Sequence, residues 1–577
     1  MNRKLKVTTA SVAISVSLLG AGLSVYAADA PSEASVPEVA APAVITYTLT
    51  DLLDVEIKGA LNERVDGGTR LGVIVRMTNH AAGITRVPDY EVRVQTKEGV
   101  EYTLKPSAAN AKSLQPKATT ELSYLAVIDR TDEVSLTQVN WTDVDYYVYP
   151  KKETPIISVP IQGDAWKGSD TTITDPTAVK KWSESFKIPG LISPIQYTPV
   201  AINKESTAEG TVYVVQLLAY NPTDKRETLP AFGIDGKGGG KVFTGTRVEK
   251  DAILLEPKAE KYIHYAIPTD QDTVLQSLNV LTPETFAEAG AAGVDVTTFK
   301  VGRLNVLLPS EAPGTSFAAY TLGHRIAFDE RSQLINPDLI VSVVEYNLHQ
   351  NKEDGNQIVT AKFKLANKSA KPLSVPVFQA DLVSRDGYEY TGSRQATQTA
   401  TVLPSSSLTV SYSFTLPVSE KGDGLVLKVQ DAVTAAPYKT TIAAISTGLQ
   451  EAKKDEWSLY PFQVKVKNWN LTSDYGPATQ YQYMYRLKLD LNITRDEQVQ
   501  LDASFPTLLV ELYDSQDRLV GRGNASLYGA SRLVNGDNSI SLSGASDSLD
   551  VRHKVKIYET FKTPTGEGKR LLTQYNQ

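Results

Sequence analysis

Three times along this chain an alternating segment ends in asparagine, and two prolines follow at fixed distances. The segments are 73–79, 215–221 and 361–367, ending in Asn79, Asn221 and Asn367. The first proline stands nine residues on in each case, at Pro88, Pro230 and Pro376. The second stands 37, 36 and 37 residues on, at Pro116, Pro257 and Pro404. Alternation puts one set of side chains on a buried sheet face and the other in water. Asparagine suits a strand's end because its amide bonds nearby backbone. Recurring intervals between such breaks mark a repeated unit, and they limit the fold more than any bulk property of the chain.

The units share further parts. Strand 90–95 runs into the turn Lys97-Glu98-Gly99 and a return strand at 102–104. Strand 378–383 does the same through Arg385-Asp386-Gly387 into 388–391. Both read as hairpins. The second proline leads another alternating strand each time, at 120–127, 261–267 and 408–416. A fourth, divergent copy keeps the segment 486–492 ending in Asn492, a strand at 508–513 and the turn 514–517, but its Pro506 has slipped to fourteen residues after Asn492.

About seven short strands per ~110–120 residues predict an all-β chain of four serial immunoglobulin-like antiparallel β-sandwiches. Their expected spans are 44–162, 188–309, 334–450 and 457–577, linked by 163–187, 310–333 and 451–456. Only 283–292 and 175–185 read as short helices. The links carry Trp166, Trp182, Phe317, Tyr320 and Phe328, which predicts that they pack on their neighbours rather than swing freely. The pattern of Asn79, Pro88, Gly99 and Pro116 resembles the telokin-like, immunoglobulin-like modules of exported Gram-positive bacterial proteins. So do Asn221, Pro230 and Pro257, and Asn367, Pro376, Gly387 and Pro404. That resemblance implies a fold and an extracellular setting, and it carries over no catalytic residue.

The N-terminus points the same way. Arg3, Lys4 and Lys6 precede an uncharged apolar stretch, and Val25-Tyr26-Ala27 has the small-residue spacing of a cleavage site. Residues 1–27 are thus expected to be a signal peptide cleaved after Ala27, leaving no stable membrane span, although an uncleaved anchor is the rival reading. Residues 28–43 are an Ala/Pro-rich tether. The chain has no cysteine, so disulfides and thiolate chemistry are excluded and packing must hold the sheets. A formal net charge of −7 argues against nucleic acid as partner.

The chain carries few residues in patterns that chemistry requires. The five histidines fall in different units and read as hydrated surface residues; no metal site is expected. Gly523-Asn-Ala-Ser526-Leu lacks the second glycine of a nucleophile elbow. Gly236-Lys-Gly-Gly-Gly-Lys241 lacks the first glycine and the Ser/Thr of a phosphate loop and reads as a hairpin tip. The acid pairs Asp143/Asp145, Asp270/Asp272 and Asp514/Asp517 match no calcium loop and read as turn formers. No catalytic residue and no cofactor is therefore expected; an enzyme would need a carboxylate pair that sequence does not reveal. Tyrosine is in excess, 28 against 13 phenylalanines, and Tyr147 with Tyr149 and Tyr481 with Tyr483 stand at spacing two. On strands these pairs would form aromatic ladders able to stack on sugars or line an interface. The expected role is a non-enzymatic binding or scaffolding protein of the cell envelope. Its partner would be an envelope polymer or another exported protein, with carbohydrate binding by the tyrosines as an alternative.

Overall fold

In the computed structural model the three repeated asparagines are sealed from solvent, at 0, 0 and 1% exposure, and wired alike. Asn79, Asn221 and Asn367 donate their backbone N–H to the carbonyls of Ala118, Ala259 and Ser406. Their side-chain amides donate to carbonyls four residues on, at Gly83, Lys225 and Lys371. The same amides reach Leu114, Leu255 and Val402 across the sheet edge. Just beyond those carbonyls the chain turns, with Pro116, Pro257 or Pro404 second in the turn. Lys117, Lys258 and Ser405 stand third, at φ 58, 58 and 55°. Proline presets the second position of such a turn, and a positive φ closes it. The interval of 36 or 37 residues is therefore the path length from the asparagine to the turn whose backbone it holds.

The structure describes residues 45–577 except 133, 164, 174, 208–209, 291–292, 310–316, 352–354, 451–452, 480–481, 547–551 and 565. The expected signal peptide and tether, 1–27 and 28–43, lie outside the described residues. Residues from Pro42 onward make one compact unit. Within it four β blocks follow one another, with strands spanning 47–160, 179–307, 318–446 and 456–576, each with its own large apolar cluster.

The third block shows the plan. Leu339–Asn351, Asn356–Asn367, Ser407–Pro417 and Ser393–Arg394 pair in that order as one sheet. Ala318–Ala319, Thr440–Ser446, Val426–Asp431, Gln379–Val383 and Glu389–Thr391 form the other, and only its first pair is parallel. The second block repeats the plan strand for strand, closing with Val179–Lys180 parallel to Gly293–Leu307. In both blocks the hairpin's return strand crosses from one sheet to the other at a glycine, Gly245 or Gly392. A Cβ there would lie 2.2 or 2.5 Å from a backbone carbonyl. In the first and fourth blocks the crossing strand, Glu101–Pro106 or Leu519–Ser526, stays continuous and joins both layers into one eight-stranded order.

Two sequence expectations change here. Residues 283–290 belong to the strand Ser277–Gly290, paired along its length with Gly293–Leu307; no helix forms. Phe286 and Ala289 have helical spacing, but sheet pairing and burial of Phe286 override that local pattern. Segment 175–185 is two turns around the short strand Val179–Lys180. In the fourth block Asn492 is exposed in mid-strand. Each block's first long strand carries a bulge, opposite Val75/Ile74 in the first block and Leu491/Asp490 in the fourth. Counted from that bulge, the counterpart of Asn79 is Arg495, whose guanidinium reaches the carbonyl of Val499, again four residues on.

Side chains from both neighbours fill each junction. Between the first and second blocks, Trp166 of the link bonds the backbone of Ala60 and Asn62. Its ring clusters with Leu61, Ile74, Leu281, Phe286, Phe299 and Val301. Beside it, Lys58 lies 2.7 Å from Glu121 and 2.9 Å from Glu284, and Arg303 is 2.7 Å from Glu284. Burial pulls the Arg303 guanidinium below its ordinary pKa, against the opposing pull of Glu284. Between the second and third blocks, Val212, Val214 and Ala266 meet Tyr438. There Tyr262 donates to Asp329 at 2.6 Å, and Arg331 bonds Glu260 at 2.7 Å. Between the third and fourth, Lys362 lies 2.9 Å from Glu345 and 2.8 Å from Glu559, and Arg570 is 2.8 Å from Glu559. All four of these side chains are buried.

Candidate functional site

The first block's strands Leu136–Asp145 and Lys152–Pro160 form a hairpin in which Asp145 faces Lys152. At its tip the Asp145 carboxylate accepts the N–H of Tyr147 at 2.9 Å. This local bond turns the backbone out of strand geometry before the tyrosines begin. Tyr147 and Tyr149 consequently stand on a turn, both fully exposed, with Val148 half-exposed between them. The expected strand ladder does not form at this end of the pair. Tyr146 is tied back, its hydroxyl donating to Glu91.

Behind the tip lies a row of charges on the outer face of the sheet. Arg93 bonds Glu91 at 2.8 Å and Glu153 at 2.9 Å and approaches Glu101 at 3.5 Å. Lys151 bonds Glu153 at 2.7 Å. Arg93 above all, then Lys151, hold the Glu153 carboxyl down at about 2. Glu153, then Glu91, raise the Arg93 guanidinium despite its partial burial. Burial pushes the Glu91 carboxyl up, but hydrogen bonds from Tyr146 and Arg93 outweigh it and leave it lowered. The tip is thus an aromatic cap on a preorganised polar face. Sequence reasoning missed Arg93 and its three glutamates, although Glu91-x-Arg93 at strand spacing was the available signal.

The second tyrosine pair is elsewhere. Tyr481 lies outside the described residues. Tyr483 opens the strand Tyr483–Arg495 and is partly buried against the fourth block's core, on the same face as the buried Tyr485. Its ring packs 4.7 Å from that of Tyr475. Tyr147 and Tyr149 therefore share a surface that Tyr483, in another block, does not join. No family model and no curated protein matches the chain.

Gly236–Lys241 is a hairpin tip, with Gly239 and Gly240 in the left-handed region. Asp270 bonds Lys241 at 2.6 Å beside an open cleft of about 480 Å³ that Asp272 and Gln276 also line. The Asp514 carboxylate accepts the N–H groups of Gln516 and Arg518, closing its turn. Among the described residues no group of three or more His, Cys, Asp or Glu side chains is placed to hold a metal ion. The histidines are not uniformly at the surface as expected. His264 and His553 are buried, and His264 Nδ1 lies 2.7 Å from the Glu249 carboxylate. Sheet packing draws them in, because His264 alternates with Ile263 and Tyr265 on a strand covered on both faces.

Proposed function

We propose that the chain is an exported, non-enzymatic protein of the bacterial cell envelope, delivered by a signal peptide cleaved after Ala27. Its four blocks are immunoglobulin-like sandwiches in series, and they bind or scaffold an envelope polymer or another exported protein. The two-layer order of the second and third blocks, with a short parallel strand closing one layer, supports the sandwich type. The observation that carries the reading is the filling of all three junctions by side chains from both neighbours. Stiff junctions spend little entropy when several weak sites engage one polymer together. Purified mature protein mixed with cell-wall sacculi, wall polysaccharides and an exported-protein fraction tests it. Saturable retention on one of these supports the proposal, and no retention on any of them overturns it.

A second reading makes the ligand a carbohydrate. Two fully exposed tyrosines beside a row of hydrogen-bonding side chains favour it, since sugar rings stack on aromatic faces while their hydroxyls need polar partners. Replacing Tyr147 and Tyr149 by alanine should abolish glycan retention and leave thermal unfolding unchanged. The Tyr481→Ala/Tyr483→Ala variant tests the fourth block in the same way. Unaltered retention in both variants rejects the reading.

A further inference from the structure

The second block carries a ribbon that its counterpart in the third lacks. Ser277–Gly290 and Gly293–Leu307 have 14 and 15 residues, whereas Val426–Asp431 and Thr440–Ser446 have 6 and 7. One face of the ribbon rests on the first block through Glu284, Phe286, Phe299 and Val301. One edge is also taken there. Ala287 donates its N–H to the Ser107 hydroxyl at 2.9 Å and accepts the N–H of Ala108 at 2.7 Å.

The opposite edge is open. Gly293–Leu307 pairs with Val179–Lys180 only at Asn305 and Val306, and from Gly293 to Val301 its outer side has no strand partner among the described residues. The ribbon's outward face is uncharged over Thr285, Ala289, Val294, Val296 and Thr298, which the register places around the buried Ala287. Val294 and Val296 are 61 and 59% exposed. Proteins normally guard such an edge with prolines, bulges or inward charges. The edge strand Lys152–Pro160 has Pro155 and a bulge, and Gln196–Thr207 has Pro199 and a bulge. The segment 293–301 has no proline and no bulge, and its only charges are Asp295 and Lys300.

We propose that this edge pairs with the same edge of a second copy of the chain, antiparallel about a two-fold axis at Thr297. Two antiparallel strands related by a two-fold keep each residue on its own face of the sheet, so the axis must pass at a residue. Thr297 is the midpoint of the open segment, and this register uses its whole length. On the outward face it sets Val296 opposite Thr298 and Val294 opposite Lys300. On the other face it sets Asp295 opposite Phe299. No like charges face each other, and the uncharged surface doubles across the joint. The first block meets the ribbon at its far edge and on its inner face at Phe299 and Val301, and it leaves Val294, Val296, Thr298 and Lys300 on the outward face of the joint exposed. A single strand pair covers far less than the ~800 Å² per partner of a stable interface, so the dimer is weak and concentration-dependent.

The absence of cysteine gives a clean test. In the full mature chain, Thr297→Cys places the new thiol at the axis beside its mate. Val294→Cys places its thiols about six residues apart along the joint, roughly 20 Å, beyond disulfide reach. Under mild oxidation at high protein concentration Thr297→Cys should form a covalent dimer at least tenfold faster than Val294→Cys. Sedimentation of the unmodified chain should show a monomer–dimer equilibrium that Val296→Lys abolishes while its thermal unfolding stays unchanged. Equal cross-linking of the two cysteine variants, or a chain that sediments as a monomer at every concentration, overturns the proposal. Exchange protection of amides 293–301 that arises only when an exported-protein fraction is added would assign the edge to a different partner and overturn it too.

Discussion

Asn221 illustrates what one side chain does in this molecule. Its amide donates to Lys225, Leu255 and Glu256, and its carbonyl accepts the N–H and hydroxyl of Thr223. Leucine has the same branching but is bulkier and satisfies none of these groups, of which the carbonyl of Leu255 is buried. Stranding the buried Leu255 carbonyl and losing the other bonds that close the turn is expensive, so Asn221→Leu should destabilise the second block by about 2–4 kcal/mol. Urea titration followed by tryptophan fluorescence measures this, and a loss below ~1 kcal/mol would contradict the assignment. The same wiring explains what sequence could reveal. Asparagine and proline at constant spacing were legible because both act directly on a backbone turn. Arg495 was not, since there a different chemical group meets the same carbonyl, and only the bulge register identifies its place. Nor was the burial of His264, because strand alternation does not show that a second layer covers the outer face.

At the scale of elements, the tyrosine hairpin and the long ribbon were both misread, for one reason. Residue spacing proposes a local geometry, while a single hydrogen bond or a paired strand decides it. Asp145 ends the strand two residues before Tyr147, and pairing with 293–300, together with the bonds of Ala287 to Ser107 and Ala108 on the other edge, keeps 283–290 extended. The hairpins themselves were legible from their glycine turns, with Gly99 and Gly387 at φ 83 and 84°. The charge row behind the tyrosine tip makes the hairpin pH-sensitive in a definite direction. Glu153 has its carboxyl at about 2 against an ordinary 4.5, so it favours the folded hairpin above pH 4.5. That contribution falls away as the pH drops from about 4.5 toward 2. Amide exchange in Lys152–Pro160 should therefore accelerate across this window, beyond the change seen in the third block. Glu153→Gln should remove the excess, and an identical pH profile in that variant would refute the argument.

For the whole molecule the question is what turns four blocks into an array. The third junction holds Lys362, Glu345, Glu559 and Arg570 out of water, two cations against two anions. Burial opposes the charge on Glu559, but Arg570 and Lys362 outweigh it and keep the carboxyl below its ordinary value. A buried set of this kind adds little over a packed apolar core, yet removing one member strands the others. Lys362→Met should thus cost about 3–5 kcal/mol at neutral pH, read as earlier urea unfolding of the third and fourth blocks together. The first junction differs in having the Trp166 cluster beside its charges, so apolar contact survives when the ion pairs are cut. Glu284→Gln removes the carboxylate that ties Lys58 to Arg303 across the junction and leaves Lys58 only Glu121 of its own block, while Phe286 and Phe299 stay packed on Leu61. Spin labels placed in the first and second blocks should then keep their mean separation and show a broader distribution. The matching pair across the third junction in Lys362→Met should shift its mean as well, because among the described residues no apolar cluster shared by the two blocks, like that around Trp166, backs the charges there. Equal behaviour at the two junctions would mean that charge, not apolar packing, sets the stiffness of both.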